Sequence, residues 1–188
     1  MKTILTILNS IYPLSPELSD EIARRSQVLH VKKKTVLLEA GQTSKTIYFI
    51  LKGAVRVYYL DKGGVEHTAW LLMENEFAIS VYSFFGGTAS FEYMETTEDC
   101  ELIALHKDQL DYLYHHYLEF NFIGRKLTEA YYIRNEEQAN NLRTMGAKER
   151  YQELVRRNPA VLQRFPLGYI ASYLGVAQET LSRIRKIK

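Results

Sequence analysis

The sequence predicts an α+β protein with an antiparallel β-roll, then a long helix, then two short helices arranged as a helix-turn-helix. Three observations predict it. Short apolar runs with period-two alternation, separated by glycine turns, fill residues 28–106. A stretch without proline and with three–four apolar spacing runs over 107–143. Residues 168–187, GYIASYLGVAQETLSRIRKI, read as two short helices joined at a glycine.

At 188 residues, 46% hydrophobic and 24% charged, the chain suits one large or two small soluble globular domains. No apolar run reaches the length of a membrane helix, so no membrane partner is expected. Ile4, Leu5, Leu8 and Ile11 have helical spacing, acidic residues follow, and no small-residue cleavage site is present. A cytoplasmic location is expected. Cys100 is the single cysteine, which excludes an intrachain disulfide and a cluster held by several cysteines of one chain. Its setting, CELIAL, suggests a buried and inert thiol. The net charge of +2 is unevenly placed. Residues 143–188 carry 10 Lys and Arg against 3 Asp and Glu, while residues 1–142 carry 14 against 19. An acidic body with a basic head suits phosphate attraction, and a merely solvated basic surface has the same charge.

In chain order, residues 3–11 and 16–26 are expected as short helices interrupted by Pro13 and Pro16, with Ser15 or Ser19 capping the second. Strands are expected at 28–31, 36–38 and 47–51, with Lys32-Lys33-Lys34 at an exposed turn or edge. Next, Val55, Val57 and Tyr59 alternate with Arg56, Tyr58 and Leu60. Asp61-Lys62-Gly63-Gly64 signals a hairpin whose return strand is 65–73, and a further pair is expected at 91–97 and 100–106. Many short strands with glycine turns indicate an antiparallel barrel or a double-sheet roll.

Within 107–143, Phe120, Ile123, Leu127, Ala130, Arg134 and Glu137 share one face, and the first four form an apolar seam. Such a seam packs on its own domain or on a twin helix. Thr144-Met145-Gly146-Ala147 breaks the helical pattern, so the domains are expected at 1–143 and 147–188, with the long helix at about 107–143. An amphipathic helix over 147–157 stops at Asn158-Pro159.

In the terminal stretch, Ile170, Leu174, Val176, Leu181 and Ile184 are the apolar positions, and Ala171 sits where the helices would cross. Gly175 falls where the first helix must stop. Gln178, Glu179, Ser182, Arg183, Arg185 and Lys186 then point outward, as a helix entering a DNA major groove requires. An ordinary terminal helical hairpin is the plainer reading of the same pattern.

This order of elements resembles the cAMP receptor protein/FNR (Crp/Fnr) family of bacterial transcription regulators over essentially the whole chain. The residues that carry the resemblance are TIYFILKGAVRVYY with Gly41 and Gly53 at its turns, AKERYQELVRRNP, and above all GYIASYLGVAQETLSRIRK. The resemblance implies a cyclic-nucleotide-binding-like jelly roll, homodimerisation through the long helix, and double-stranded DNA as partner. Two recognition helices one DNA turn apart would read a palindromic operator with half-sites roughly 34 Å apart. By ungapped match, Gln178, Glu179 and Arg183 are the base-reading candidates. Arg183 suits guanine, Glu179 a cytosine amine and Gln178 adenine. Thr180, Ser182, Arg185 and Lys186 suit phosphates or orient their neighbours. Glu179 and Arg183 are also spaced for an ion pair within the helix. The chain stops at Lys188, so any wing after this helix is expected to be absent or very short.

Cyclic-nucleotide-binding relatives hold the phosphate with a Gly-Glu pair and, about ten residues on, an arginine. Here Ile79-Ser80 and Ser90-Phe91 stand in those places, and no arginine occurs between residues 57 and 124. Binding of a cyclic nucleotide is therefore not expected. Ser80, Tyr82, Ser83, Ser90 and Phe91 are the candidates for a different effector pocket, with Phe84, Phe85 and Tyr93 adding aromatic character, or for plain roll core. The effector is an unnamed small molecule or none. No metal site is expected, because His67 lacks a His-x-His neighbour and His115-His116 diverge by about 100° on a helix. No cofactor and no catalytic residue is implied, since no nucleophile elbow, phosphate loop or acid–base set occurs. RNA polymerase would be a further partner of an activator, but no surface for it can be picked out. Two competing classes are a signalling module whose last helices dock a protein, and a cupin-like metalloenzyme.

Overall fold

A computed structural model describes residues 1–186, and residues 187 and 188 at the end of the expected second domain lie outside it. Two helices come first, α1 (Lys2–Ile11) and α2 (Pro16–Arg25). Ser15 caps α2 by accepting the Leu18 N–H at 3.2 Å. Six strands follow: β1 (Gln27–Val31), β2 (Val36–Leu38), β3 (Thr46–Lys52), β4 (Val55–Leu60), β5 (Glu66–Leu72) and β6 (Phe77–Ala78). A short helix, α3 (Val81–Gly86), leads to β7 (Glu92–Thr96) and β8 (Cys100–His106). The rest is helical: α4 (Lys107–His116), α5 (Leu118–Thr144), α6 (Ala147–Arg157), α7 (Val161–Arg164), α8 (Leu167–Tyr173) and α9 (Gln178–Lys186).

The strands form two antiparallel sheets, ordered β1-β8-β3-β6 and β2-β7-β4-β5. Ile50 and Leu102 on one sheet and Val55, Val57 and Met94 on the other meet in a buried core between them. This is the double-sheet roll that the alternating runs predict. The hairpin turn is held by Asp61, whose carboxylate accepts the Gly63 and Val65 N–H groups. Gly53 is required at its own turn. Its φ is +99°, and a Cβ there would stand 2.5 Å from Cys100 Sγ. Cys100 is buried as expected, and burial pushes its thiol pKa up.

The outer face of the first sheet packs against the helices. Phe49 and Ile103 join Ile4, Leu8, Leu18, Ile22, Leu110, Leu113, Phe120 and Ile123 in a second core. This corrects the placing of the α5 seam that the resemblance implied. Phe120 and Ile123 are turned to the chain's own roll, Arg134 pairs with Glu76, and Glu137 pairs with Arg157. The apolar residues that α5 leaves outward are Leu118, Phe122, Tyr132, Ile133 and Leu142. The helical stretch is also broken once, at Tyr117, where ψ is 105°.

A third core joins the C-terminal helices to the second sheet. Ala54, Leu71 and Met73 pack with Val161, Phe165, Ile170, Ala171, Leu174 and Leu181. The exposed edge of β5 is covered in the process. Ser172 Oγ accepts the Thr68 N–H at 2.8 Å and donates to the Glu66 carbonyl at 3.0 Å, and Gln138 donates to the Ala69 carbonyl. Arg56, on the outer face of β4, is 2% exposed because Tyr169 of α8 lies over its guanidinium. It also bonds to Thr68 Oγ1 and Glu66. The β4 pattern is therefore buried on both faces from Val55 to Tyr58, where simple alternation predicts one.

Candidate nucleic-acid interface and effector pocket

The helix pair α8–α9 is built as the terminal stretch suggests. Ile170, Ala171, Leu174 and Leu181 are buried, while Val176 and Ile184 are half-buried. Gly175 turns the chain at φ +67°, and the Val176 N–H donates back to the Ala171 carbonyl at 3.0 Å. Gly168 lets α9 approach closely, since a Cβ there would lie 2.9 Å from Gln178 Oε1. Gln178, Glu179, Arg183, Arg185 and Lys186 are exposed, with Thr180 and Ser182 half-buried beside them. Among the described residues no ion pair holds Arg183 or Arg185, so the Glu179–Arg183 pair that the spacing allows is not formed. Ser172, Tyr169 and Leu181 face the body, and the polar side of α9 faces away from it.

The basic excess of residues 143–188 divides into two uses. Arg164 spans to the roll, bonding Glu98 at 2.6 Å through Nε and both oxygens of Glu74 at 3.0 Å. That guanidinium holds the Glu74 carboxyl at about 2, well below the usual range. Arg150 donates to the Leu174 and Met145 carbonyls, and Arg156 and Arg157 pair with Glu153. Arg183, Arg185 and Lys186 of α9 are exposed basic residues of this segment, as are Arg143 and Lys148 outside it.

The candidate effector residues separate into two groups. Ser80, Ser83 and Ser90 are buried and hydrogen-bonded, Ser80 with Ser90 and Ser83 with the Ser44 N–H and the Thr88 carbonyl. Ser80 Oγ lies 3.1 Å from Ser90 Oγ, Ser90 Oγ accepts the Glu92 N–H, and Ser83 Oγ accepts the Ser44 N–H at 2.8 Å. Tyr82 and Phe91, in contrast, are 61% and 55% exposed and meet as a tilted aromatic pair, their ring centroids 5.6 Å apart. Phe85 is also exposed. Phe84 is core, and Tyr93 stacks on Tyr58.

Glu92 is the residue that motif reading passes over. Its carboxylate accepts from Ser80 Oγ at 2.6 Å, at the start of α3. Burial pushes its pKa up. An acidic side chain therefore shares the hydroxyl cluster with Ser80 and Ser90. The period-two pattern of β7 is the one signal that could have found it, because it turns Glu92 and Met94 to one face.

Residues 28–117 match the family model described as the cyclic nucleotide-binding domain. No curated protein matches the sequence. Among solved structures, the chain is similar to the c-di-GMP responsive global regulator CLP of Xanthomonas campestris, at 17% identity, 92% of this chain, 90% of that one and a TM-score of 0.66. It is similar to FixK2 of Bradyrhizobium japonicum at 19% identity, 85% and 82% coverage and a TM-score of 0.69. A crp/fnr family regulator from Eubacterium rectale gives 16% identity, 93% and 85% coverage and a TM-score of 0.70. The class is thus a cyclic-nucleotide-binding-type roll carrying C-terminal helices. Its fold is that of the Crp/Fnr transcription regulators, as the sequence resemblance implies. Among the described residues no helix is long and apolar enough to cross a membrane.

Proposed function

We propose that the protein is a sequence-specific DNA-binding transcription regulator of the Crp/Fnr type, acting as a homodimer on a palindromic operator. The observation that carries this reading is α9, whose buried Leu181 anchors it while its glutamine, glutamate and arginines face solvent. Gln178, Glu179 and Arg183 read bases, and Thr180, Ser182, Arg185 and Lys186 contact phosphates or orient those three. Residues 1–143 form the sensing part and residues 147–188 the reading part, with Met145–Gly146 as the joint between two helices. The outward row of α5, Leu118, Phe122, Tyr132 and Ile133, is the surface for the twin helix. The roll does not take cAMP, because no arginine between residues 57 and 124 is there to pair with a cyclic phosphate. A cytoplasmic location follows from the role.

Duplex DNA binding tested over a salt series checks this reading. The affinity falls linearly with log salt, and cAMP leaves it unchanged. Retention that is weak and insensitive to salt would instead favour a module whose C-terminal helices dock a protein.

A further inference from the structure

A cavity lies outside the roll, between the outer face of the first sheet and α1, α2, α4 and α5. Its volume is about 380 Å³. That is more than twice the roughly 150 Å³ apolar cavity known to admit benzene, and it falls within the roughly 300–1,000 Å³ typical of small-molecule sites. Its walls are deep side chains from separate elements, including Ile4, Ile22, Phe49, Ile103 and Ile123, each no more than 6% exposed. Phe85 and Thr128 stand at the open side. Ser80, Ser90 and Glu92 are not part of the lining, so this is a different place from the polar cluster at α3.

The polar groups of the cavity limit what it can take. Arg134 and Glu76 lie together at one end and neutralise each other, with Asn75 beside them. The other lining residues with a polar group are Ser26, Trp70, Tyr114, Thr128 and Tyr131, all uncharged. No histidine, cysteine or methionine lines it, so there is no soft or imidazole ligand for a metal-centred group. A charged head group would have to break the Arg134–Glu76 pair, whereas a hydroxyl or carbonyl can bond to it without doing so. The twin-helix surface proposed above is on the opposite face of α5, so a second copy there leaves the cavity in place.

We infer that this cavity is a binding site for a neutral, apolar small molecule, an aliphatic chain or ring carrying one uncharged polar group at the Arg134–Glu76 end. The site is independent of the DNA-reading role of α9. Trp70, the single tryptophan of the chain, is in the cavity wall and reports on it directly. The test titrates the full-length protein with 1-decanol, decanoate or decyltrimethylammonium, each below its aggregation limit, while following Trp70 emission. The expected result is a saturable one-to-one change with decanol, at least tenfold tighter than with either charged analogue. Leu127→Phe and the rim variant Thr128→Phe, both checked for native circular dichroism, weaken decanol binding at least fivefold. The absence of a saturable response to decanol would overturn the inference. So would tightest binding of a charged analogue, or unchanged affinity in both folded variants.

Discussion

Arg183 and Lys186 share one helix, and their proposed roles differ. Replacing Arg183 with Ala should weaken binding to the cognate site by about 1–3 kcal/mol and relax discrimination at one base pair. Binding of that variant as tight as wild type in a competition titration would remove Arg183 from the reading set. Replacing Lys186 with Ala should weaken all sequences alike and lower the salt slope by about one. At this scale the sequence was legible where side chains act by pointing outward. Gln178, Glu179, Arg183, Arg185 and Lys186 are exposed as their spacing suggests. It was not legible where polar groups satisfy each other across the fold. Ser80 meets Ser90 and Glu92 only because the start of α3 and β7 are brought together in space. Arg56 reads as an outward residue of an alternating strand, yet Tyr169, 113 positions on, covers it.

Among the elements, the α8–α9 pair depends most on one residue. Leu181 is fully buried against the core shared by the C-terminal helices and β5. Leu181→Ala should cost about 2–5 kcal/mol, read as a lower denaturant midpoint with an unchanged slope. A change below about 1 kcal/mol would mean that α9 is not anchored there. Most strands and the terminal helices were legible because apolar period and glycine turns agree with burial. The two residues of β6 and the short α3 were not, since neither is long enough to show a period. The α5 seam was legible as a seam but not in its direction. Periodicity gives the face of a helix, and only the tertiary fold shows that Phe120 and Ile123 meet Ile4, Leu8 and Phe49.

For the whole molecule, the division between an acidic body and a basic head is partly an internal bond. Arg164 of the head is held by Glu74 and Glu98 of the body. Glu74 titrates at about 2 in the fold against an ordinary 4.5, so its contribution to stability is fully present above pH 4.5 and is lost as the pH falls through 2. Arg164→Ala should therefore lower the thermal midpoint by a few degrees at pH 6 and flatten its decline between pH 5 and pH 2. An unaltered acid limb in that variant would show that the pair does not couple head to body. The charge count read from sequence cannot separate this arginine from those on α9. In the proposed function, the exposed side of α9, presented twice by a dimer, reads a palindrome. Selection of bound duplexes from a random pool by the full-length protein tests it most directly. The expected result is enrichment of an inverted repeat with half-sites about one helical turn apart, lost with Arg183→Ala. A pool without an inverted repeat, or one unchanged by that substitution, would contradict it.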